Sequence, residues 1–354
     1  MRRLLSFLVA IALFGLTVPA LGQSSSPKVY VCNQGEATVS VIDMESMEVE
    51  TTVDLKERGF SENAKPHHVL AEPDGSHWYV TLIGANTILK FNANNEIVAR
   101  LDDFEVPGLL SLDPKKDVLY AGRSMSAVNP PKSLGMIDRS SMEVMGRVNT
   151  FFPRPHPLAV RPNGDYVFIA SLATNQLMGI NTETRETELT RLGGTTQTPV
   201  QFAVTKDGSR LIAGGQKTGE LLVFDATNAP SLSVLDTLKV GKQPWHPVIG
   251  RRSGIAYVPN KMSHSLSVVD VDNASVTATI RGDGLAQPHG TVLSADGKYL
   301  FVSNNNREGT YEPSGDNGTV TVINTKTKEI EKIIEVGEYP TGVGTFGGQQ
   351  VTMP

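Results

Sequence analysis

Histidine is the residue type whose placement in this chain indicates chemistry. The 354-residue sequence contains seven histidines, and five of them stand one or two positions after a proline that begins a repeated segment. Neutral imidazole nitrogens suit borderline transition-metal ions when several of them converge. The sequence therefore predicts a site for a metal ion, copper or zinc, or for a small anionic ligand, formed by His67, His68, His156, His246 and His289.

The competing interpretation is that each histidine only supports its own loop. A single imidazole at the start of a strand can hydrogen-bond a neighbouring loop without binding anything else. This alternative stays open for every one of the five residues taken alone. A sixth candidate metal ligand, His264, follows a different strand of its repeat and is expected on the same face, whereas His77 lies within a strand and is left outside the set.

The prolines belong to a repeat that predicts the fold. Each leads a short apolar strand, commonly followed by an Asp-Gly or Asn-Gly turn and a second strand, and the unit recurs every 41 to 52 residues. Self-similarity at this period is typical of four-stranded propeller blades. We therefore predict an all-β fold, a seven-bladed β-propeller of four-stranded antiparallel blades. The leading prolines, which should ring the mouth of the central channel, are Pro66, Pro107, Pro155, Pro199, Pro244, Pro288 and Pro340.

The two ends of the repeat array are incomplete in complementary ways. The first repeat begins at Lys28 without a proline-led strand, and Pro340 leads a strand that only a short Gly-rich segment follows. Pairing the C-terminal strand with the N-terminal blade would close the ring and remove free sheet edges. The predicted organisation is a signal peptide over 1–22, a flexible leader over 23–27, the propeller over 28–347 and a C-terminal tail over 348–354.

The N-terminus indicates export. Arg2 and Arg3 precede an apolar run, and small residues end it at Gly22, which is the pattern of a cleaved signal peptide. Cleavage would take the net charge from −5 to −7, because residues 1–22 contain two arginines and no acid. We expect a periplasmic, secreted or cell-surface protein that does not bind nucleic acid and has no membrane span after cleavage.

The lone Cys32 excludes an intramolecular disulfide and is expected to be a small buried strand residue.

Two loops on the predicted histidine face are longer than their counterparts. One runs from Arg123 to residue 132, and the other, from residue 304 to 317, carries Arg307, Glu308 and Glu312. Long insertions on one face of a propeller commonly form ligand walls. If these side chains act, Arg123 and Arg307 could hold an anion, and Glu308 or Glu312 could serve as a general base or additional ligand. The alternative is that these charged side chains are exposed to solvent and have no functional role.

The second strands carry a resemblance to a known family. Tyr30-Val31-Cys32-Asn33, Tyr79-Val80-Thr81, Tyr257-Val258-Pro259-Asn260 and Phe301-Val302-Ser303-Asn304 resemble the signature of the YVTN β-propeller repeats. That resemblance implies the fold and leaves the function open. The histidine ring is also similar in kind to the propeller of nitrous oxide reductase, which implies copper. This chain departs from that enzyme, because it has no cupredoxin domain and three blades contribute no axial histidine, so a mononuclear site is the expectation.

Two other functions compete with metal or ligand binding. One is a non-catalytic scaffold that recognises a partner protein or a glycan through its loop face. The other is a lactone hydrolase, because propeller lactonases use carboxylates, arginine and histidine at the channel mouth. The sequence does not decide whether the protein is an enzyme.

Overall fold

The computed structural model describes residues 26–126 and 128–349. The predicted signal peptide and the last five residues of the predicted tail lie outside these ranges, as does Ala127. Within them the chain forms β-strands, connecting turns and three short 3-10 helices, Glu62–Ala64, Lys261–Ser263 and Glu312–Ser314. None of the helices in the described ranges is long and apolar enough to span a bilayer.

Seven antiparallel sheets follow one another along the chain. The first three blades contain β1 (Lys28–Asn33), β2 (Thr38–Asp43) and β3 (Glu48–Asp54), then β4 (Pro66–Ala71), β5 (His77–Leu82), β6 (Thr87–Asn92) and β7 (Ile97–Leu101), then β8 (Pro107–Leu112), β9 (Val118–Arg123), β10 (Ser133–Asp138) and β11 (Val144–Asn149). The next two contain β12 (Pro155–Val160), β13 (Tyr166–Ser171), β14 (Gln176–Asn181) and β15 (Thr187–Arg191), then β16 (Pro199–Val204), β17 (Arg210–Gly215), β18 (Glu220–Asp225) and β19 (Ser233–Lys239).

The remaining strands complete the ring. They are β20 (Val248–Ile249), β21 (Ile255–Asn260), β22 (Ser265–Asp270) and β23 (Ser275–Ile280), then β24 (Pro288–Ser294), β25 (Tyr299–Asn304), β26 (Asn317–Asn324) and β27 (Ile330–Glu338), and finally β28 (Pro340–Phe346) and β29 (Gly348–Gln349). The inner strands pack side by side in blade order, from β4 beside β8 round to β24 beside β28 and β28 beside β4. The seven-bladed propeller predicted from the repeat is confirmed.

The C-terminal strand closes the N-terminal blade as the sequence predicts. Strand β28 pairs antiparallel with β1, with Val343 opposite Val31. The two residues after the predicted propeller boundary add one feature that the repeat did not indicate. Gly348 and Gln349 form β29, which pairs with Ser294 and Leu293 of β24 and makes the seventh sheet five-stranded. The beginning of the predicted tail therefore joins the fold.

The apolar core is divided among the interfaces between blades. Seven clusters of buried side chains occur in the described residues, and each joins two consecutive blades. Alternation along a strand explains the division, because successive side chains point to opposite faces of a sheet. Tyr30 and Cys32 pack toward the second blade, whereas Val29 and Val31 pack toward the seventh. Cys32 is fully buried in this core, as expected for a small strand residue.

The asparagine that ends several second strands has a defined structural role. The side-chain amides of Asn33 and Asn260 donate to hydroxyls on the neighbouring third strand, at 2.9 Å to Ser40 Oγ and 3.0 Å to Ser267 Oγ. Asn304 makes the same contact with Thr321 Oγ1 at 2.9 Å. The final residue of the repeat signature thus fixes the end of the blade that faces the channel mouth.

Candidate functional site at the channel mouth

The leading prolines place the histidines at bulges in the inner strands. In the fourth blade Pro155 is opposite Ser171 and Leu158 is opposite Ile169, so His156 and Pro157 lie in an irregular step of the ladder. The same shift follows the leading proline in the second, third, fifth and seventh blades. Such bulges bend a strand and re-aim its side chains, often beside a functional site.

The residue before every leading proline has an unusual backbone conformation. All seven have φ between 47° and 60°, although none is glycine: Lys65, Val106, Arg154, Thr198, Gln243, Gln287 and Tyr339. A left-handed conformation is uncommon for these residue types, and it is most costly for β-branched Val106 and Thr198. The repeat therefore holds seven strained turns at one end of the channel.

The sixth blade departs most from the pattern. Its inner strand is reduced to the two residues of β20, and Pro244 makes only an isolated bridge to Asn260. Pro247 explains the loss, because a proline cannot donate to the strand ladder. This break leaves Trp245 and His246 in irregular backbone between two prolines.

Five histidines are buried at this end of the channel. His67, His68, His156, His246 and His289 are each no more than 7% exposed. Burial lowers the pKa of His67 to about 4, and burial together with the neighbouring His67 lowers the pKa of His68 to about 3. The pKa values of the other three are also well below the usual value, first through burial and then through repulsion from nearby cations and histidines. All five are therefore neutral at pH 7, the state in which imidazole binds metals.

The rings approach one another in two pairs. The ring centroids of His67 and His156 are 5.6 Å apart, and those of His246 and His289 are 4.6 Å apart. Two imidazoles that share one tetrahedral zinc ion have centroids roughly 5 Å apart, given a metal–nitrogen distance of about 2 Å. Each pair therefore has a spacing that suits a shared ion. No three His, Cys, Asp or Glu side chains in the described ranges already stand in a metal-binding arrangement, so such a site needs side-chain rotation.

Three of the histidines line one cavity. His67, His156 and His246 border a space of 410 Å³ that also contacts Trp245, Arg154 and Lys217, with Met125, Leu172, Ala173, Thr198, Val200 and Gln216 completing the wall. This volume suits a small molecule. The described lining contains no carboxylate, so a lactonase mechanism that relies on one at this position lacks support here.

Hydrogen bonds fix two of the imidazoles. Ser124 Oγ lies 2.6 Å from Nδ1 of His156. The backbone N–H of Leu110 donates to Nδ1 of His68 at 3.2 Å, which leaves the proton of neutral His68 on Nε2. Gly108 makes the first contact possible, because a Cβ there would collide with Ser124 Oγ and approach His156 Nδ1 to 3.0 Å. The third blade thus adds no histidine to the group, and its glycine leaves room for the contact between Ser124 and His156.

Other ring nitrogens are left without protein partners. Among the residues that the structure describes, neither nitrogen of His67 has a hydrogen-bond partner, and Nδ1 of His289 has none. Buried polar atoms usually have partners, and an orphaned one needs a physical explanation. A bound metal or ligand would supply it, because an unprotonated imidazole nitrogen offers a lone pair.

The remaining predicted site residues lie beside the histidine group. His264 Nδ1 accepts from the Gln287 N–H at 3.3 Å, and its Nε2 is 3.5 Å from Glu308 Oε2. Arg307 stacks on Tyr339, with its guanidinium carbon 4.4 Å from the ring centroid. Arg123 pairs with Glu105 at 2.7 Å.

Glu312 is exposed at the start of a 3-10 helix. Neither it nor Glu308, Arg123, Arg307 or His264 borders the cavity. The structure therefore separates these five candidates from the histidine-lined space. It assigns Arg123 a salt bridge and His264 a contact with Glu308, while a ligand or catalytic role for any of the five stays a prediction.

Sequence reasoning missed the basic residues of the cavity wall. Arg154 directly precedes Pro155, and Lys217 follows β17 on the same face. A third basic residue, Lys261, does not border the cavity but lies behind its wall, with its ammonium 5.1 Å from the Trp245 ring centroid and 5.4 Å from that of Tyr339. Burial and the neighbouring Arg307 lower the pKa of Lys261 to about 8, although Glu308 opposes the shift. The location of Arg154 could have been predicted from the sequence, because the position before every leading proline lies on this face.

Comparison with known proteins supports the fold. The chain resembles a functionally unknown protein from Desulfotomaculum acetoxidans, with a TM-score of 0.73 at 14% identity over 90% of this chain and 98% of that one. It also resembles apo AztD from Citrobacter koseri, with a TM-score of 0.62 at 14% identity over 92% and 99% of the two chains. Hydrazine synthase from Kuenenia stuttgartiensis gives a TM-score of 0.57 at 18% identity over 68% and 80%.

At these identities the three structures show the shared fold alone. No family model matches the sequence, and no curated protein matches it. The YVTN likeness therefore remains a resemblance of motifs, and none of the compared proteins links the histidine ring to nitrous oxide reductase.

Proposed function

We propose that this protein is an exported β-propeller that binds one copper or zinc ion at the mouth of its channel. The ligands would come from His67, His156, His246 and His289. The observation that carries the proposal is that His67 is buried, neutral at pH 7 and without a partner for either ring nitrogen among the described residues, in a cavity that His156 and His246 also line. Neutral nitrogen donors of this kind match copper and zinc better than magnesium or calcium.

His68 has a different role in this proposal. Its Nδ1 already accepts a backbone hydrogen bond, so its remaining nitrogen carries a proton and serves as a donor to a ligand. Metal binding would need modest rotation of the paired rings, and the two observed ring-centroid spacings are within reach of a shared ion. The bound metal would act as a Lewis acid or redox centre.

The test is metal titration of the untagged full-length protein after removal of metal. Zn²⁺ and copper are added separately, unbound metal is removed by gel filtration, and retained metal is measured by mass spectrometry. The variant carries His67→Ala, His156→Ala and His246→Ala. His77→Ala is the matched control, because His77 lies on β5 away from the cavity.

We expect near-stoichiometric retention in the wild type and in the control, and at least hundredfold weaker binding in the triple variant, since three of four donors are lost. Circular dichroism must show the same sheet content in all three proteins. Equal retention in the triple variant, or no retention of either metal by the wild type, would overturn the proposal. The second outcome would leave the scaffold role as the working hypothesis.

A further inference from the structure

The wall of the cavity is unusually rich in hydrogen-bond donors. Arg154 and Lys217 contribute positive charge, Trp245 contributes an indole N–H and Thr198 a hydroxyl. The described residues of the cavity wall include no aspartate or glutamate, although the protein as a whole has a net charge of −5. A donor-rich, cationic pocket in an acidic protein is complementary to an anion.

Two of these donors have no acceptor among the described residues. Within the described parts of the chain, the Trp245 Nε1 atom and the Thr198 hydroxyl are buried without a hydrogen-bond partner, and Thr198 is 5% exposed. The indole N–H can only donate, so it cannot be satisfied by a metal ion. These atoms therefore indicate an acceptor that the histidine and metal proposal does not supply.

Arg154 has a geometry that suits a bound oxyanion. Its Nε donates to the Ser124 carbonyl at 3.0 Å, which anchors the guanidinium, and no carboxylate of the described chain forms an ion pair with it. Burial alone accounts for the lowering of the Arg154 pKa. The two terminal nitrogens remain for a ligand, and a guanidinium edge binds a carboxylate through two parallel hydrogen bonds.

The size and apolar parts of the cavity distinguish an organic ligand from an inorganic ion. The 410 Å³ space is much larger than a phosphate or sulfate needs, and Trp245, Leu172 and Val200 offer apolar surface. An anion with a carbon skeleton would satisfy the polar atoms and cover this surface together.

We propose that the cavity binds a small organic carboxylate, with its carboxylate group on Arg154 and Lys217 and its carbon skeleton against Trp245. This site goes beyond the metal proposal, because it uses different side chains and does not require a metal. If a metal ion and the carboxylate are bound together, the carboxylate adds a negative charge beside the ion, which the neutral histidines do not provide. It can also complete the coordination of the metal ion.

The experiment uses the intrinsic fluorescence of the full-length, metal-free protein. The chain has two tryptophans, and Trp78 is fully buried between Tyr30 and Phe91, so Trp245 is the reporter. Metal is removed with the neutral chelator 1,10-phenanthroline, because EDTA is itself a polycarboxylate. The probes are citrate, glutarate and phthalate, with the corresponding amides as uncharged controls and inorganic phosphate and sulfate as ions without a carbon skeleton.

We expect at least one of these carboxylates to change the Trp245 emission saturably, its amide to have no effect, and the affinity to fall with added salt. Arg154→Gln and Lys217→Gln should each weaken binding by about tenfold or more, and Arg154→Lys by less than Arg154→Gln. Arg147→Gln, an exposed arginine on β11, is the matched control and should bind like the wild type. The variant Trp245→Phe should lose the signal while calorimetry still detects binding.

Two outcomes would overturn this inference. One is that none of the carboxylates binds more tightly than phosphate and sulfate. The other is that Arg154→Gln and Lys217→Gln bind as the wild type does. The triple histidine variant separates the two proposals, because it should lose metal but keep metal-free carboxylate binding, whereas Arg154→Gln should do the reverse.

Discussion

Ser124 Oγ and His156 Nδ1 lie 2.6 Å apart, and both atoms are buried at the channel mouth. The contact joins the third and fourth blades, because Ser124 follows β9 and His156 lies on β12. It also directs the chemistry of His156. The contact is compatible with the tautomer in which Nδ1–H donates to the serine, and in that tautomer Nε2 keeps the lone pair that a metal-binding histidine requires.

Replacement of this serine should weaken metal binding without unfolding the protein. We expect Ser124→Ala to lower the affinity for copper or zinc by roughly tenfold to a hundredfold, because the tautomer and orientation of His156 are no longer fixed. Calorimetric titration measures the change. The matched control is Ser126→Ala, since Ser126 lies on the same loop and its hydroxyl bonds the nearby Val128 backbone, with no side-chain partner in the part of the chain that the structure describes. An unchanged affinity in Ser124→Ala would show that the contact does not orient a ligand.

The buried histidines should make the metal-free protein sensitive to mild acid. The pKa of His67 falls from 6.5 in the unfolded chain to about 4 in the fold. A lowered pKa means that the unfolded state binds the proton first, so the associated stability is complete above pH 6.5 and is lost as the pH falls toward 4. The shift corresponds to about 3 kcal/mol.

Denaturant titrations between pH 7 and pH 4 measure this effect. His67→Gln should lose less stability over this interval than the wild type does, whereas His77→Gln, at a partly buried position outside the histidine group, should stay closer to the wild-type curve. Parallel curves for wild type and His67→Gln would contradict the assignment of this proton to His67.

Lys261 should oppose the binding of a bare metal ion. Its ammonium lies against Trp245 and Tyr339, and it lowers the pKa values of His246 and His289, after burial and other neighbours. The same repulsion acts on a metal cation at these rings. We expect Lys261→Met to tighten metal binding by roughly tenfold at low salt, since one unscreened charge a few ångströms away contributes on the order of 1 kcal/mol. Lys326→Met, at an exposed turn, is the control. Weaker metal binding in Lys261→Met would contradict this view of the lysine.

The Cys32 thiol should be unreactive toward thiol reagents in the folded protein. It is fully buried between the first and second blades, and burial raises its pKa well above the usual value. A thiol reagent at pH 8 should therefore label the native chain at the rate of global unfolding and label the denatured chain at once. Cys32→Ala should bind metal as the wild type does. Rapid labelling of the native protein would show that the closure between β1 and β28 opens locally.

The repeat determined the architecture because its signals are local. Period-two alternation, turn residues and a proline at the start of each inner strand act over a few residues, so they can be read from the chain alone. Closure of the ring could be predicted from the same repeat. Lys28 begins a blade that lacks its inner strand, and Pro340 begins an inner strand that lacks the rest of its blade. The shared position of the five histidines likewise predicted that they meet at one end of the channel.

Only the tertiary structure decided which of those side chains face one another and what surrounds them. The bulges after the leading prolines of the second, third, fourth, fifth and seventh blades, and the left-handed residue before every leading proline, set the direction of the rings, and neither is visible in the residue pattern. Contacts between blades decide three features of the site. They pair His246 with His289, leave space for His156 beside Gly108, and bring Arg154 and Lys217 into the same cavity wall. Such contacts join residues far apart in sequence, and their geometry is fixed by how neighbouring sheets pack.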